Sequence, residues 1–141
     1  MASAIGGLAA FGLPPRLFAQ EQAAESLRSL TTGIVPIGRA ERAARIARAQ
    51  AMMKRLDIGA ILIEPGASLV YFTGVRWWRS ERLTAAVIPA EGSPIIVTPF
   101  FERPSVAESL DINAEIRVWQ EHESPLALVT AFLKEKGLAR A

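Results

Sequence analysis

The stretch RAERAARIARAQAMMKRLDIGAILIEP, from Arg39 onward, changes its hydrophobic period within a few residues. Over Arg39 to Leu56 the side chains Ile46, Ala49, Met53 and Leu56 recur at three- and four-residue spacing, which predicts an amphipathic helix. Arg45, Arg48 and Arg55 fall on the opposite side, and Gly59 offers a stop. From Ala60 the chain reads AILIEP, a short apolar run that fits a buried strand. A helix that hands over so soon to such a strand belongs to a layered α/β arrangement.

The rest of the chain follows that pattern. Ala67 to Phe72 predicts a helical turn or short helix closed by Gly74. Leu83–Ala90 and Ile95–Phe100 read as strands, and the EGSP turn between them makes Leu83–Ile88 and Ile95–Thr98 a hairpin. A helix is predicted from about Pro104 to Leu110, and a fourth strand in AEIRVWQ. SPLALVTAFLKEKGL closes the series as a helix with Ser124 at the N-cap, Pro125 in the first turn and Gly137 as the stop. The order is helix, strand, short helix, hairpin, helix, strand, helix. It predicts an α/β fold with a mixed β-sheet flanked by helices. An α/β chain would ordinarily supply another strand after KEKGLARA, so the expectation is the front part of a longer protein.

The first residues stand apart. AIGGLAAFGL, residues 4–13, is an apolar block of signal-peptide length, and Ala19 is placed for a signal-peptidase cut. Only MAS precedes it, without the basic residues of a full signal. Residues 1–20 are therefore read as an export signal with a lost or misassigned start, or else as a tail. The first reading implies an exported, periplasmic protein and the second a cytoplasmic one. Residues 21–33 read as a connecting arm, with a short helix over Glu21 to Leu30, and 34–141 as the domain.

Composition removes several functions. The 141 residues carry a net charge of +2, too little to argue for a nucleic-acid partner. There is no cysteine, hence no disulfide, thiol nucleophile or thiolate metal site. No apolar run reaches the ~18–20 residues of a stable membrane span. Neither GxGxxG nor GxxxxGK[ST] occurs, so no phosphate loop is indicated. The single histidine, His122, lies in QEHES, where an extended backbone puts Glu121 and Glu123 on one side and the imidazole on the other, so it reads as a surface residue. Ser80 and Glu81 suggest no triad, since no histidine is near. The arginines of the first helix form a stripe that would suit phosphate, or a solvated face.

GVRWWRSER, Gly74 to Arg82, is the segment with recognition chemistry. Neighbours on an extended backbone point to opposite faces, so Trp77 and Trp78 cannot both enter one core. An indole packs on an apolar ring such as proline, and a guanidinium clasps a carboxylate bidentately. Arg76, Trp77, Trp78, Arg79 and Arg82 together would suit a short peptide with a free carboxylate. They would equally suit a protein interface, or a structural role in which one tryptophan caps the core and the arginines pair with Glu81 or Glu102.

The succession RAARIARAQAMMKRLDIGAILIEPGASLVYFTG, then SER, then AAVIPAEGSPIIVTPFFE resembles the N-terminal domain of the creatinase/prolidase (Xaa-Pro peptidase) family over about Ile34 to Leu138. The resemblance implies a three-layer-like fold, here cut before its last strands. It implies a non-catalytic domain that takes part in a homodimer and overhangs a substrate pocket for peptides with proline. It also implies a divalent metal pair, manganese, cobalt or zinc, held by a separate C-terminal domain. No cofactor is expected in this chain, and no metal ligand carries over to its residues. Two other readings stand beside it, a binding or scaffold module without peptidase activity and a basic surface for anionic partners along Arg39 to Arg55. Under the resemblance, one of Trp77 and Trp78 packs inside while the other, with Arg76, faces the bound peptide or a neighbouring subunit.

Overall fold

The computed structural model describes residues 30–138. The signal-like segment and the short helix expected over Glu21 to Leu30 lie outside them, apart from Leu30 itself. The chain divides into two units between Val35 and Pro36. In the described part of the first, a turn at Leu30–Gly33 is closed by the Ile34 N–H on Thr31 O at 3.1 Å.

The second unit holds every helix and strand among the described residues. In chain order these are α1 (Arg39–Arg55), β1 (Ala60–Ile63), α2 (Ala67–Thr73), β2 (Ala85–Pro89), β3 (Ile95–Pro99), a 3₁₀ turn (Phe100–Glu102), α3 (Arg103–Ser109), β4 (Glu115–Trp119) and α4 (Pro125–Glu135). The sheet order is β1-β2-β3-β4; the first two pairings are antiparallel and β3–β4 is parallel. This is the mixed α/β sheet the sequence predicts. β2 is shorter than the Leu83–Ala90 run, and β3 stops at Pro99, where Phe100 enters the 3₁₀ turn instead of extending the strand.

Strand alternation divides the core. Ile63, Ala86, Ile88 and Ile96 face Ile46 of α1, Leu69 of α2 and Val106 of α3. Val87, Ile95, Val97 and Trp119 face Val129 and Phe132 of α4. The central strands β2 and β3 are buried along their whole length, which accounts for their continuous apolar composition. Each fully buried Ile or Leu adds roughly 1.5–3 kcal/mol. Pro89 sits in β2 opposite Ala60, and β2 pairs with β3 only as far as Val87, so the missing N–H leaves no gap in the ladder.

Three details of α1 differ from the sequence reading. The helix does not stop at Gly59. It closes at Asp57, which takes a left-handed φ of 55° while Ile58 N–H reaches back to Met53 O at 2.9 Å. That is the glycine-type terminal turn made by an aspartate. Gly59 has a different role: a Cβ there would lie 2.7 Å from Leu138 Cδ2. Second, Leu56 is 60 % exposed and not part of the apolar face. Third, Arg45 is buried and not solvated. Its guanidinium stacks 4.1 Å from the Tyr71 ring centroid, donates to Tyr71 O at 3.0 Å and pairs with Glu41. α2 is short and its last carbonyls lack helical partners, so an arginine from α1 supplies them.

α4 ends as the sequence predicts. Gly137 takes φ 68°, and Leu138 N–H bonds Leu133 O at 2.8 Å. Ser124 occupies its N-cap, although its hydroxyl makes no capping bond.

Candidate functional site

β1, β3 and β4 all run in one direction, so their C-terminal ends and the start of β2 lie at the same end of the sheet. Four connections meet there: Glu64–Gly66, Val75–Thr84, Phe100–Glu102 and Gln120–Ser124. The Trp–Arg segment is the longest of them.

Its entry is fixed by Gly74, whose φ of 84° ends α2. A Cβ there would stand 3.0 Å from both Ser109 O and Asp111 Cβ, so the position admits only glycine without strain. Val75 is fully buried, and its N–H bonds the Thr73 hydroxyl at 3.0 Å. Trp77 is half-buried against the core under α1–α3, and Trp78 is 88 % exposed. Arg76, on the other side of Trp77, is exposed as well. This is the alternation of an extended segment: Trp77 inward, Arg76 and Trp78 outward. Two residues of extended chain put the outward pair roughly 7 Å apart.

The exit is stapled at several points. Arg79 pairs with Glu64 on the connection after β1. Arg82 donates to Glu121 Oε1 at 2.9 Å and Glu81 Oε1 at 2.7 Å, and lies 5.6 Å from the Phe101 ring centroid. The Glu121 hydrogen bond and charge hold the Arg82 guanidinium above its ordinary pKa. The Trp119 indole N–H donates to Leu83 O at 3.1 Å. Thr84 and Thr98, both fully buried, place their hydroxyls 2.9 Å apart, and Thr84 donates to Glu102 Oε2 at 3.0 Å. Glu102 thus holds threonines and not an arginine, which corrects one expected pairing. The sequence signal for this knot was present: Thr84 and Thr98 are two residues from Ala86 and Ile96 on the same inward face, where a hydroxyl needs a partner.

Of the five candidate residues, then, Arg79 and Arg82 are engaged in ion pairs, Trp77 is an anchor, and Arg76 and Trp78 project from a braced loop. A shallow hollow beside it is bounded by Glu64, Pro65, Arg79, Ser80 and Thr84. A larger hollow lies at the opposite end of the sheet, around Lys54, Ile58, Gly59 and Glu91. Of its charged groups, Lys54 pairs with Glu91, and Glu135 pairs with Arg117 of β4.

Residues 45–140 match the family profile described as the creatinase/prolidase N-terminal domain. The chain belongs to that family. It is 36% identical over 101 residues to the probable dipeptidase PepE of Mycobacterium tuberculosis and to that of Mycobacterium bovis, covering 70% of this chain and 27% of theirs. The chain thus spans about a quarter of the length of these curated relatives. Among solved structures it is similar to dipeptidase PepE from Mycobacterium ulcerans, at 36% identity and TM-score 0.61, over 69% of this chain and 28% of that one. The N-terminal domain of an Xaa-Pro dipeptidase from Lactobacillus brevis matches at TM-score 0.60 over 66% of this chain and 69% of that one; at 19% identity it shows the shared fold.

In this creatinase/prolidase N-terminal domain, a metal pair has no fitting set of ligands among the described residues. No three His, Asp or Glu side chains gather in a way that would hold an ion. Asp57 serves the end of α1, Asp111 pairs with Arg42, and His122 is exposed on the connection before α4. No helix among the described residues is long and apolar enough to cross a membrane.

Proposed function

We propose that this chain is the non-catalytic N-terminal domain of an Xaa-Pro dipeptidase- or aminopeptidase-like metallopeptidase, covering the substrate pocket and contributing to a homodimer. The observation that carries this reading is the exposure of Trp78 beside the anchored Trp77. Burying an indole is worth several kcal/mol, at ~25 cal/mol per Å² over about 150–250 Å². A loop braced at Arg79, Arg82 and Thr84 that still presents one to solvent is preorganised for a partner. Arg76, which has no carboxylate partner among the described residues, is exposed beside it. The pair suits a peptide end with a carboxylate and a pyrrolidine ring, the first on the guanidinium and the second on the indole face. The metal chemistry belongs to a separate catalytic domain.

The test is Trp78→Ala in the peptidase that contains this domain, assayed on Xaa-Pro dipeptides. KM rises about tenfold, or the dimer dissociates at higher protein concentration, while the circular dichroism and melting point stay unchanged. Unaltered turnover together with an unaltered oligomer overturns the proposal. Peptide binding by the chain alone, dependent on Arg76 and Trp78, with no catalytic partner, would instead favour a stand-alone binding module.

A further inference from the structure

From Val75 to Leu83 no backbone group pairs with another backbone group among the described residues. Side chains hold the connection instead. The Thr73 hydroxyl takes the Val75 N–H at the entry, and Trp77 packs against the core. The Ser80 hydroxyl accepts from Arg82 N–H at 3.2 Å and donates to Arg82 O at 3.1 Å. Two ion pairs reach other connections, Arg79 to Glu64 and Arg82 to Glu121.

Arg82 is the better enclosed of the two arginines, its side chain 38% exposed against 76% for Arg79. Its bond to Glu81 stays within the connection and ties it to nothing else. Glu121 lies 39 positions further on, before α4, and fastens the exit of the connection to a second segment. An exposed ion pair adds little to the stability of a whole domain. A connection without a backbone ladder, however, opens locally at far smaller cost than the domain unfolds, and there a small contribution decides the population. Release of Arg82 moves Trp78, four positions earlier in the chain, while the core stays closed.

We propose that Glu121, acting through Arg82, is a positioning residue for the peptide contact at Trp78 and Arg76. It does not touch the peptide; it keeps the connection in the arrangement that presents the indole. This role rests on the function proposed above.

A double-variant cycle in the peptidase that contains this domain tests it, with Glu81→Gln as a control for the lost charge. Glu121→Gln raises KM for Xaa-Pro dipeptides about threefold and leaves kcat unaltered, because a smaller binding-competent population weakens apparent affinity in proportion. Glu81→Gln alters neither. In a Trp78→Ala background Glu121→Gln has no further effect on KM, since the two changes remove the same contact. In the 141-residue chain, Glu121→Gln lowers the nitrogen-15 order parameters of the Trp78 and Arg79 amides from about 0.85 to below about 0.6. Multiplying effects of Glu121→Gln and Trp78→Ala on KM, equal effects of Glu81→Gln and Glu121→Gln, or unaltered order parameters overturn the positioning role and leave the proposed function standing. Unaltered KM in Trp78→Ala with a weakened dimer likewise overturns this role alone; unaltered KM with an unaltered dimer removes the proposed function as well.

Discussion

Arg42 and Asp111 are 69 positions apart in the chain, and the Nε of the first donates to Oδ2 of the second at 3.2 Å. The same guanidinium donates through Nη1 to the carbonyls of Val70 and Tyr71 at the end of α2. One nearly buried side chain thus joins α1, the end of α2 and the turn after α3, beside the glycine where the Trp–Arg segment begins. Arg42→Met takes the close donor from Asp111, while Val70 O keeps the Gly74 N–H and Tyr71 O keeps Arg45, and costs roughly 1.5–3 kcal/mol. Asp111→Asn keeps an acceptor and, the carboxylate being partly exposed, costs under about 1 kcal/mol. Urea midpoints of the two variants check the order.

Two left-handed residues give opposite outcomes. Gly74→Ala places a methyl 3.0 Å from Ser109 O in a backbone conformation that opposes it, and destabilises by about 2 kcal/mol or more. Asp57→Gly relieves the same conformational penalty at the end of α1, where the residue is exposed, and stabilises by roughly 0.5–1 kcal/mol. Thermal melts measure both.

The adjacent tryptophans differ in the same manner. Trp77→Ala opens a gap against the core and costs about 2–4 kcal/mol. Trp78→Ala stays within about 0.5 kcal/mol of the parent. Of the three tryptophans, Trp78 supplies most of the acrylamide-quenchable fluorescence, and its removal leaves only the smaller part from half-buried Trp77.

Acid weakens the contact between β4 and α4. The Arg117 hydrogen bond, backed by its charge, holds the Glu135 carboxyl below its ordinary pKa of 4.5. A depressed folded-state pKa contributes stability that is fully present above the unfolded value and lost as pH falls through the folded one. The loss therefore begins below about pH 4.5–5. Arg117 itself titrates too far into alkali to matter. Glu135→Gln should flatten the stability curve below that pH and leave its shape near pH 7 unchanged, as followed by urea titrations at stepped pH.

Thr98→Val removes one hydroxyl from the buried Thr84–Thr98–Glu102 knot. Thr84 retains Glu102, so the cost is about 1 kcal/mol; Glu102→Ala leaves the two hydroxyls bonded to each other with one donor unpaired, and costs about 1–3 kcal/mol. The double variant Thr84→Val with Thr98→Val tells the terms apart by denaturant titration.

Most elements were legible because their signals are local. The three- and four-residue spacing around Ile46 and Met53 marks α1, and the apolar runs of β2 and β3 mark two buried strands. The order of motifs carried the family. Arg45 was misjudged because helical period alone cannot show that a short neighbouring helix will end beneath it with unbonded carbonyls. Leu56 was misjudged because its apolar character says nothing of whether a neighbour arrives to cover it. The braces at Glu64, Glu102 and Glu121 were not legible either, since each comes from a different connection.

Residue order alone establishes the helices and strands, the inward and outward sides of each strand, the turn at Gly74, and that two neighbouring tryptophans must part. Those follow from bond geometry and hydrophobic period, which act over a few residues. Only the folded chain decides that Trp78 is the outward one, that Arg42 and Arg45 close α2, and that Leu138 comes against Gly59 before β1. Those depend on which distant segments meet, and pairing energies between them have no trace in the local pattern.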